Sequence, residues 1–276
     1  MEDRLTAVRT ALRGSYDIAR QLGRGSMASV YLAVRLADSR AVAIKVLHPE
    51  LAISMGAGRF HREISLLKRL EHPHILPLLD SEEIGGLLFY VMPCADGDSL
   101  GTRLDGHGSF EIEETIDITK QIASALDYAH GQNVMHRDIK PGNILFDRGR
   151  AMLCDFGVAR AIVQAAGEHI SSTGVIVGTP SYMSPEQASG KGELDGRSDV
   201  YSLACVVYDM LVGQPPFTGH SAQAIMARQV NERPPSIRVV RPQVPDHVER
   251  AIFHALEKRP EDRPQTAGRF AERLST

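Results

Sequence analysis

Apolar positions follow two periodicities along the chain. Up to Met92 they fall mostly in short runs. Val42-Ala43-Ile44-Lys45 is small and β-branched, and Leu87 to Met92 is almost wholly apolar, so both predict strands. Leu22 to Val30 lies between two further strands, and a short helical arm stopping near Gly14 precedes Tyr16. Gly58 to Leu70 breaks this pattern: Phe60, Ile64, Leu67 and Leu70 recur at helical spacing. Beyond Asp98 the helical period dominates. Ile118, Ile122, Ala125, Leu126 and Ala129 form one stripe of a helix from Glu113 to His130, with Gly131 suited to its C-terminal cap. A more apolar helix begins at Ser198, carries Val200, Leu203, Val207, Met210 and Leu211, and ends at Gly213. Ala222 to Val230, Asp246 to Leu256 and Thr266 to Leu274 also read as helices. Asn143 to Leu145 and Ala151 to Leu153 flank a turn at Asp147 to Arg150.

Composition narrows the class. A chain of 276 residues can bury a large core and suits two lobes. A hydrophobic share of 43% and a charged share of 24% fit a soluble globular protein. A net charge of -3 with scattered Lys and Arg leaves no footprint for nucleic acid. Cys94, Cys154 and Cys205 are odd in number and lack metal spacing, which fits a reducing compartment. No apolar run reaches the ~18 residues of a membrane span, and Glu2, Asp3 and Arg4 do not open a signal peptide. The expected location is the cytoplasm, as a free protein or as the cytoplasmic part of a longer membrane protein.

Candidate chemistry concentrates in His136-Arg137-Asp138-Ile139-Lys140-Pro141-Gly142-Asn143, followed by Asp155-Phe156-Gly157. A hydroxyl attacking a phosphoryl group must lose a proton, and Asp138 is a carboxylate that can take it. Lys140 can neutralise charge growing on the transferred group. Asn143 and Asp155 offer oxygen atoms suited to Mg²⁺. Upstream, Gly23 and Gly25 let backbone approach phosphate oxygens within Leu22-Gly23-Arg24-Gly25-Ser26-Met27-Ala28-Ser29-Val30. Strand alternation puts Ala43 and Lys45 on one face.

In this order the motifs resemble the catalytic domain of bacterial eukaryotic-like Ser/Thr protein kinases, from about Tyr16 to about Leu274. The resemblance implies an α+β, two-lobed kinase fold: a small antiparallel sheet lobe with one helix (16–92), a hinge (93–97) and a large helical lobe (98–276). It implies ATP and Mg²⁺, with Mn²⁺ as an alternative. Leu22, Gly23, Arg24, Gly25, Ser26, Met27, Ala28 and Val30 would cover the nucleotide, although Ala28 stands where the family has a third glycine. Ala43, Met92 and Leu145 would line the adenine pocket, and Ala95 would offer its N–H. Lys45 would align phosphates, paired with Glu63. Asp98 or Ser99 would meet the ribose.

The resemblance also assigns His136 to packing, and Arg137 to control by phosphorylation of Thr173, Ser171 or Ser172. Thr179 would bridge Asp138 and Lys140. Asp199 would hold the catalytic loop, and Glu186 would pair with Arg263. Ser184 departs from the usual alanine. The implied partners are Ser/Thr-bearing proteins and a second copy through the small lobe. Two readings compete: a scaffold module without turnover, favoured only by Ala28, and a small-molecule kinase, which would lack the Gly178-Thr179-Pro180 to Ser184-Pro185-Glu186 peptide platform.

Overall fold

The structure, a computed structural model, describes residues 2–25, 27–55, 57–156, 179–190 and 194–276. Ser26, Gly157, Ser171, Ser172, Thr173 and Gly178 therefore lie outside the described residues, and of Glu63 only the backbone is described. Two compact units emerge, one from Met1–Glu71 with Leu76–Ala95, the other from His72–Ile75, Asp96–Gly157 and Gly178–Thr276.

The first unit is a five-stranded antiparallel sheet in the order β1-β2-β3-β5-β4. Its strands are β1 (Tyr16–Arg24), β2 (Ala28–Arg35), β3 (Arg40–Leu47), β4 (Asp80–Ile84) and β5 (Leu87–Pro93). One face is dry: Tyr31, Ala33, Val42, Ile44, Val46, Phe89 and Val91 pack with Val8 and Leu12 of helix α1 (Glu2–Leu12). Arg9 clips this helix to the sheet by donating to the carbonyls of Ile18 (3.0 Å) and Ala19 (2.7 Å). On the opposite face, Val30 stands against Lys45 and Lys45 against Tyr90, while Ala43 stands against Met92. The dry back thus fixes which residues the other face presents, because a one-residue slip would exchange them.

Helices α2 (Pro49–Met55) and α3 (Ala57–Leu67) follow. The stripe expected to run to Leu70 loses its α-helical pattern after Leu67: Arg69 N–H reaches Leu66 O and Leu70 N–H reaches Leu67 O, a tightened last turn. Strand β4, Asp-Ser-Glu-Glu-Ile, escapes the hydrophobic pattern because it is a polar sheet edge, paired on one side only.

The second unit is helical. It contains α4 (Leu100–His107), α5 (Ile112–Gly131), the hairpin β6 (Ile144–Asp147) and β7 (Arg150–Leu153), α6 (Pro185–Ser189) and α7 (Gly196–Val212). Helices α8 (Ala222–Asn231), α9 (Ile237–Val240), α10 (Asp246–Ala255) and α11 (Ala267–Arg273) complete it. Helix α7 is buried from Ser198 through Leu211 and forms the central post. It ends at Gly213 (φ 84°), where an added Cβ would lie 2.5 Å from Gly108 O, so chirality and space both demand glycine. Helix α5 continues through Gly131, the expected cap. Asn133 takes the left-handed conformation instead (φ 59°), which its short amide side chain tolerates. Helix α4 starts at Ser99, whose Oγ accepts the Thr102 N–H at 3.0 Å. The hydroxyl expected at the ribose thus serves as a helix cap, since first-turn N–H groups lack partners inside the helix.

Candidate active site

In the sheet unit, β1 reaches Arg24 and β2 resumes at Ala28. Gly25 N–H donates to Ala28 O (2.9 Å) and joins the two strand ends. Leu22, Gly23, Arg24 and Gly25 are exposed, while Ala28 is buried in β2. The methyl group that replaces the third glycine therefore packs into the sheet. Lys45 projects from β3 with Nζ 5.9 Å from the Tyr90 ring centroid, a cation–π distance. Val30, Ala43, Lys45 and Met92 share this face; Ala95 lies beyond the end of β5.

In the helical unit, the segment 136–143 is fixed from below. Asp199, 1% exposed on α7, accepts three hydrogen bonds, each of 2.8 Å, from His136 N–H, Arg137 N–H and His130 Nε2. Burial alone would raise this carboxyl. The hydrogen bond and charge of His130 and the Arg137 N–H outweigh it, and the Asp199 pKa is lowered. His136 is buried as well: Nδ1 accepts the Asp138 N–H (3.2 Å), so Nε2–H donates to Cys154 O (2.8 Å). Its ring packs 4.7 Å from that of Phe156.

Above this base the reactive side chains converge. Lys140 Nζ donates to Asp138 Oδ2 at 2.6 Å, with Asp138 mostly shielded. Asn143 Nδ2 donates to Asp138 O (2.7 Å) and to Oδ2 (3.1 Å). Both amide protons are thereby committed, and Oδ1 is the Asn143 atom left to accept a cation. Cys154 N–H bonds to Asn143 O at 2.9 Å and Ile144 pairs with Leu153, so the hairpin sets Asp155 one residue from Asn143's neighbour. Leu145, on the same hairpin, bridges to Ser99. Hard oxygen donors of this kind fit Mg²⁺, which keeps waters and phosphate oxygens among its ligands rather than a full protein cage. Arg137 (φ 67°) and Asp155 (φ 66°) both hold left-handed backbone, a cost of order 1–3 kcal/mol each that the surrounding bonds must offset.

Thr179 opens the short turn Pro180–Tyr182. Among the described residues its carbonyl accepts the Tyr182 N–H (3.1 Å), and no hydrogen bond joins its hydroxyl to Asp138 or Lys140.

The platform after Thr179 is anchored by buried polar groups. Arg263 donates to both Glu186 oxygens (2.7 and 2.8 Å) with its side chain fully buried. Burial would raise Glu186, but hydrogen bonding and charge from Arg263 and the Ser198 hydroxyl lower it. Ser184 caps α6: its Oγ accepts from Gln187 N–H (3.3 Å) while Gln187 Oε1 accepts from Ser184 N–H (3.0 Å). Gln187 Nε2 then reaches Arg137 O at 2.9 Å, tying this helix to the catalytic loop. Sequence reasoning passed over this tie by Gln187, although Ser184-x-x-Gln187 is a capping-box signature.

These groups stand in the order of one known family, and its sequence profile, described as protein kinase domain, matches residues 16–273. The chain belongs to this family. It is 38% identical over 268 residues to the DNA damage-responsive serine/threonine-protein kinase RqkA of Deinococcus radiodurans, across 95% of this chain and 39% of that protein. It is also 38% identical over 261 residues to the serine/threonine-protein kinase PknD of Mycobacterium tuberculosis, across 94% and 39%. The chain thus spans about 39% of the length of these relatives. A solved kinase domain of M. tuberculosis PknI matches with a TM-score of 0.75 at 30% identity, covering 95% of this chain and 94% of that one. The fold is the two-lobed protein-kinase fold, and the domain is of the bacterial eukaryotic-like Ser/Thr type.

Proposed function

We propose that the domain transfers the γ-phosphoryl group of ATP to Ser and Thr hydroxyls of proteins, its own residues 171–173 included. The observation that carries this reading is the Asp138 carboxylate, held by Lys140 at 2.6 Å and Asn143 at 3.1 Å above a loop that Asp199 clamps. Asp138 receives the acceptor's proton, and Lys140 offsets charge on the transferred group. Lys45, with Glu63, aligns phosphates on the sheet face that also offers Val30, Ala43 and Met92 to adenine. Ala95 supplies a backbone donor, and Leu145 closes the pocket floor. Leu22 to Ala28 cover the nucleotide. Asn143 and Asp155 hold Mg²⁺, or Mn²⁺ in its place. The metal, when bound, neutralises phosphate charge; the chain's own work is positioning.

In this reading residues 16–92 form the small lobe, 93–97 the hinge and 98–276 the large lobe. Phosphorylation of Thr173, Ser171 or Ser172 acts through Arg137. Protein substrates meet the 179–186 platform, and a second copy docks through the small lobe. The domain works on the cytoplasmic side, alone or within a longer protein. Among the described residues no helix is long and apolar enough to cross a membrane.

Incubation with labelled ATP, Mg²⁺ and a generic basic protein tests the reading. Label on Ser and Thr is expected; none, in a sample shown to bind ATP, contradicts it. A Ser171/Ser172/Thr173 triple-alanine variant is expected to be slower, and unchanged turnover would remove the loop control.

A further inference from the structure

Helix α8 buries one residue fully, and it is Gln229, a polar side chain at 0% exposure. Burying an amide costs free energy unless every group on it finds a partner. Here all do. Nε2 donates to Pro180 O (3.1 Å) and Ser181 O (2.8 Å), and Oε1 accepts from Tyr201 OH (2.6 Å). The amide therefore has a single orientation that satisfies both carbonyls and the hydroxyl. Lys258 stands behind it. Its Nζ donates to Gln229 O (2.7 Å) and to Tyr201 OH (3.3 Å), and lies 4.4 Å from the Phe217 ring centroid. The donors run one way: ammonium to phenol, phenol to amide, amide to two backbone carbonyls. Bonds aligned like this polarise one another.

The receiving end is the turn Pro180–Tyr182, whose other flank is held by Tyr182 OH donating to Asp209 Oδ2 (2.6 Å). An apolar side chain would fill the Gln229 site with no hydrogen bonds to satisfy. A buried amide aimed at two carbonyls of one turn does something packing cannot: it fixes that turn's direction.

We propose that Gln229 is a positioning residue for the acceptor-peptide turn 180–182, oriented by Tyr201 and Lys258. The inference rests on the reading of 179–186 as the peptide platform. Gln229 touches neither nucleotide nor acceptor in this scheme; it acts through the turn.

The test uses the chain of residues 1–276 with a Ser peptide, varying peptide and ATP separately. Gln229→Met keeps volume and removes the amide. The expected result is a fall of about tenfold or more in kcat/KM for peptide, with KM for ATP moving less than about twofold. Amide exchange at Tyr182 and Met183, measured by hydrogen–deuterium exchange, is expected to quicken. Tyr201→Phe removes only the hydroxyl and is expected to give the same pattern more weakly; it keeps the test decisive if the Gln229 variant does not fold. Unchanged peptide kinetics with unchanged exchange in the variants overturns the inference. So does an equal loss for peptide and ATP, which marks general damage. Failure of the parent reading looks different, because the unmodified chain itself would transfer no phosphate to the peptide.

Discussion

The catalytic loop and the glycine-rich turn are built in opposite ways. Residues 136–143 rest on a buried carboxylate, a buried imidazole and the Gln187 amide, and this support holds Arg137 in left-handed backbone. Gly23, Arg24 and Gly25 are exposed, and the Gly25 N–H bonds to Ala28 O. Proton transfer needs a base placed in advance, within hydrogen-bond reach. A turn that covers phosphates needs access for backbone, and glycine supplies that without support from below. The loop therefore depends on buried side chains from distant residues, and the turn on its glycines and on backbone bonds alone, including His48 N–H to Met27 O at 2.9 Å.

That contrast can be broken at its strong end first. Asp199→Ala leaves two backbone N–H groups and His130 without their acceptor. A loss of about 3–5 kcal/mol is expected, read as a drop of roughly 10 °C in thermal unfolding. Glu186→Ala strands the buried Arg263 and is expected to cost a similar amount by the same measurement. Acid sharpens the point. Asp199 and Glu186 both titrate below their ordinary values in the fold. Each thus adds stability that is present above its unfolded pKa, about 4, and is lost as pH falls through the folded value. Melting temperature is expected to hold at neutral pH and fall below about pH 4, less steeply in Glu186→Gln. Ser184→Ala removes a helix cap and is expected to cost about 1 kcal/mol. At the weak end, Gly25→Ala meets only Ala28 O at 3.7 Å, so stability should stay within about 0.5 kcal/mol while KM for ATP rises. A large stability loss there would erase the contrast.

Much of this was legible in sequence where side chains repeat with a period. Strands β3 and β5, the α5 stripe and the apolar α7 all announce themselves by burial pattern. Strand β4 did not, because Asp80, Ser81, Glu82 and Glu83 sit on an edge where polarity is favoured. The motif spacing named Asp138, Lys140, Asn143 and Asp155, but their convergence depends on hydrogen bonds between residues far apart. Asp199 lies 62 positions from Arg137, and Gln229 lies 48 from Ser181. The resemblance named Asp199 for this role, but no local pattern marks Gln229.

The account turns on Asp138 as the group that receives the acceptor's proton in a loop already in place. The most direct measurement is the single-turnover rate of phosphate appearance on Ser and Thr, mapped by mass spectrometry, in the unmodified chain and in Asp138→Asn. A fall of roughly 10²–10⁴-fold with melting temperature unchanged is the predicted result. Equal rates in the two proteins, both shown to bind ATP, would contradict it.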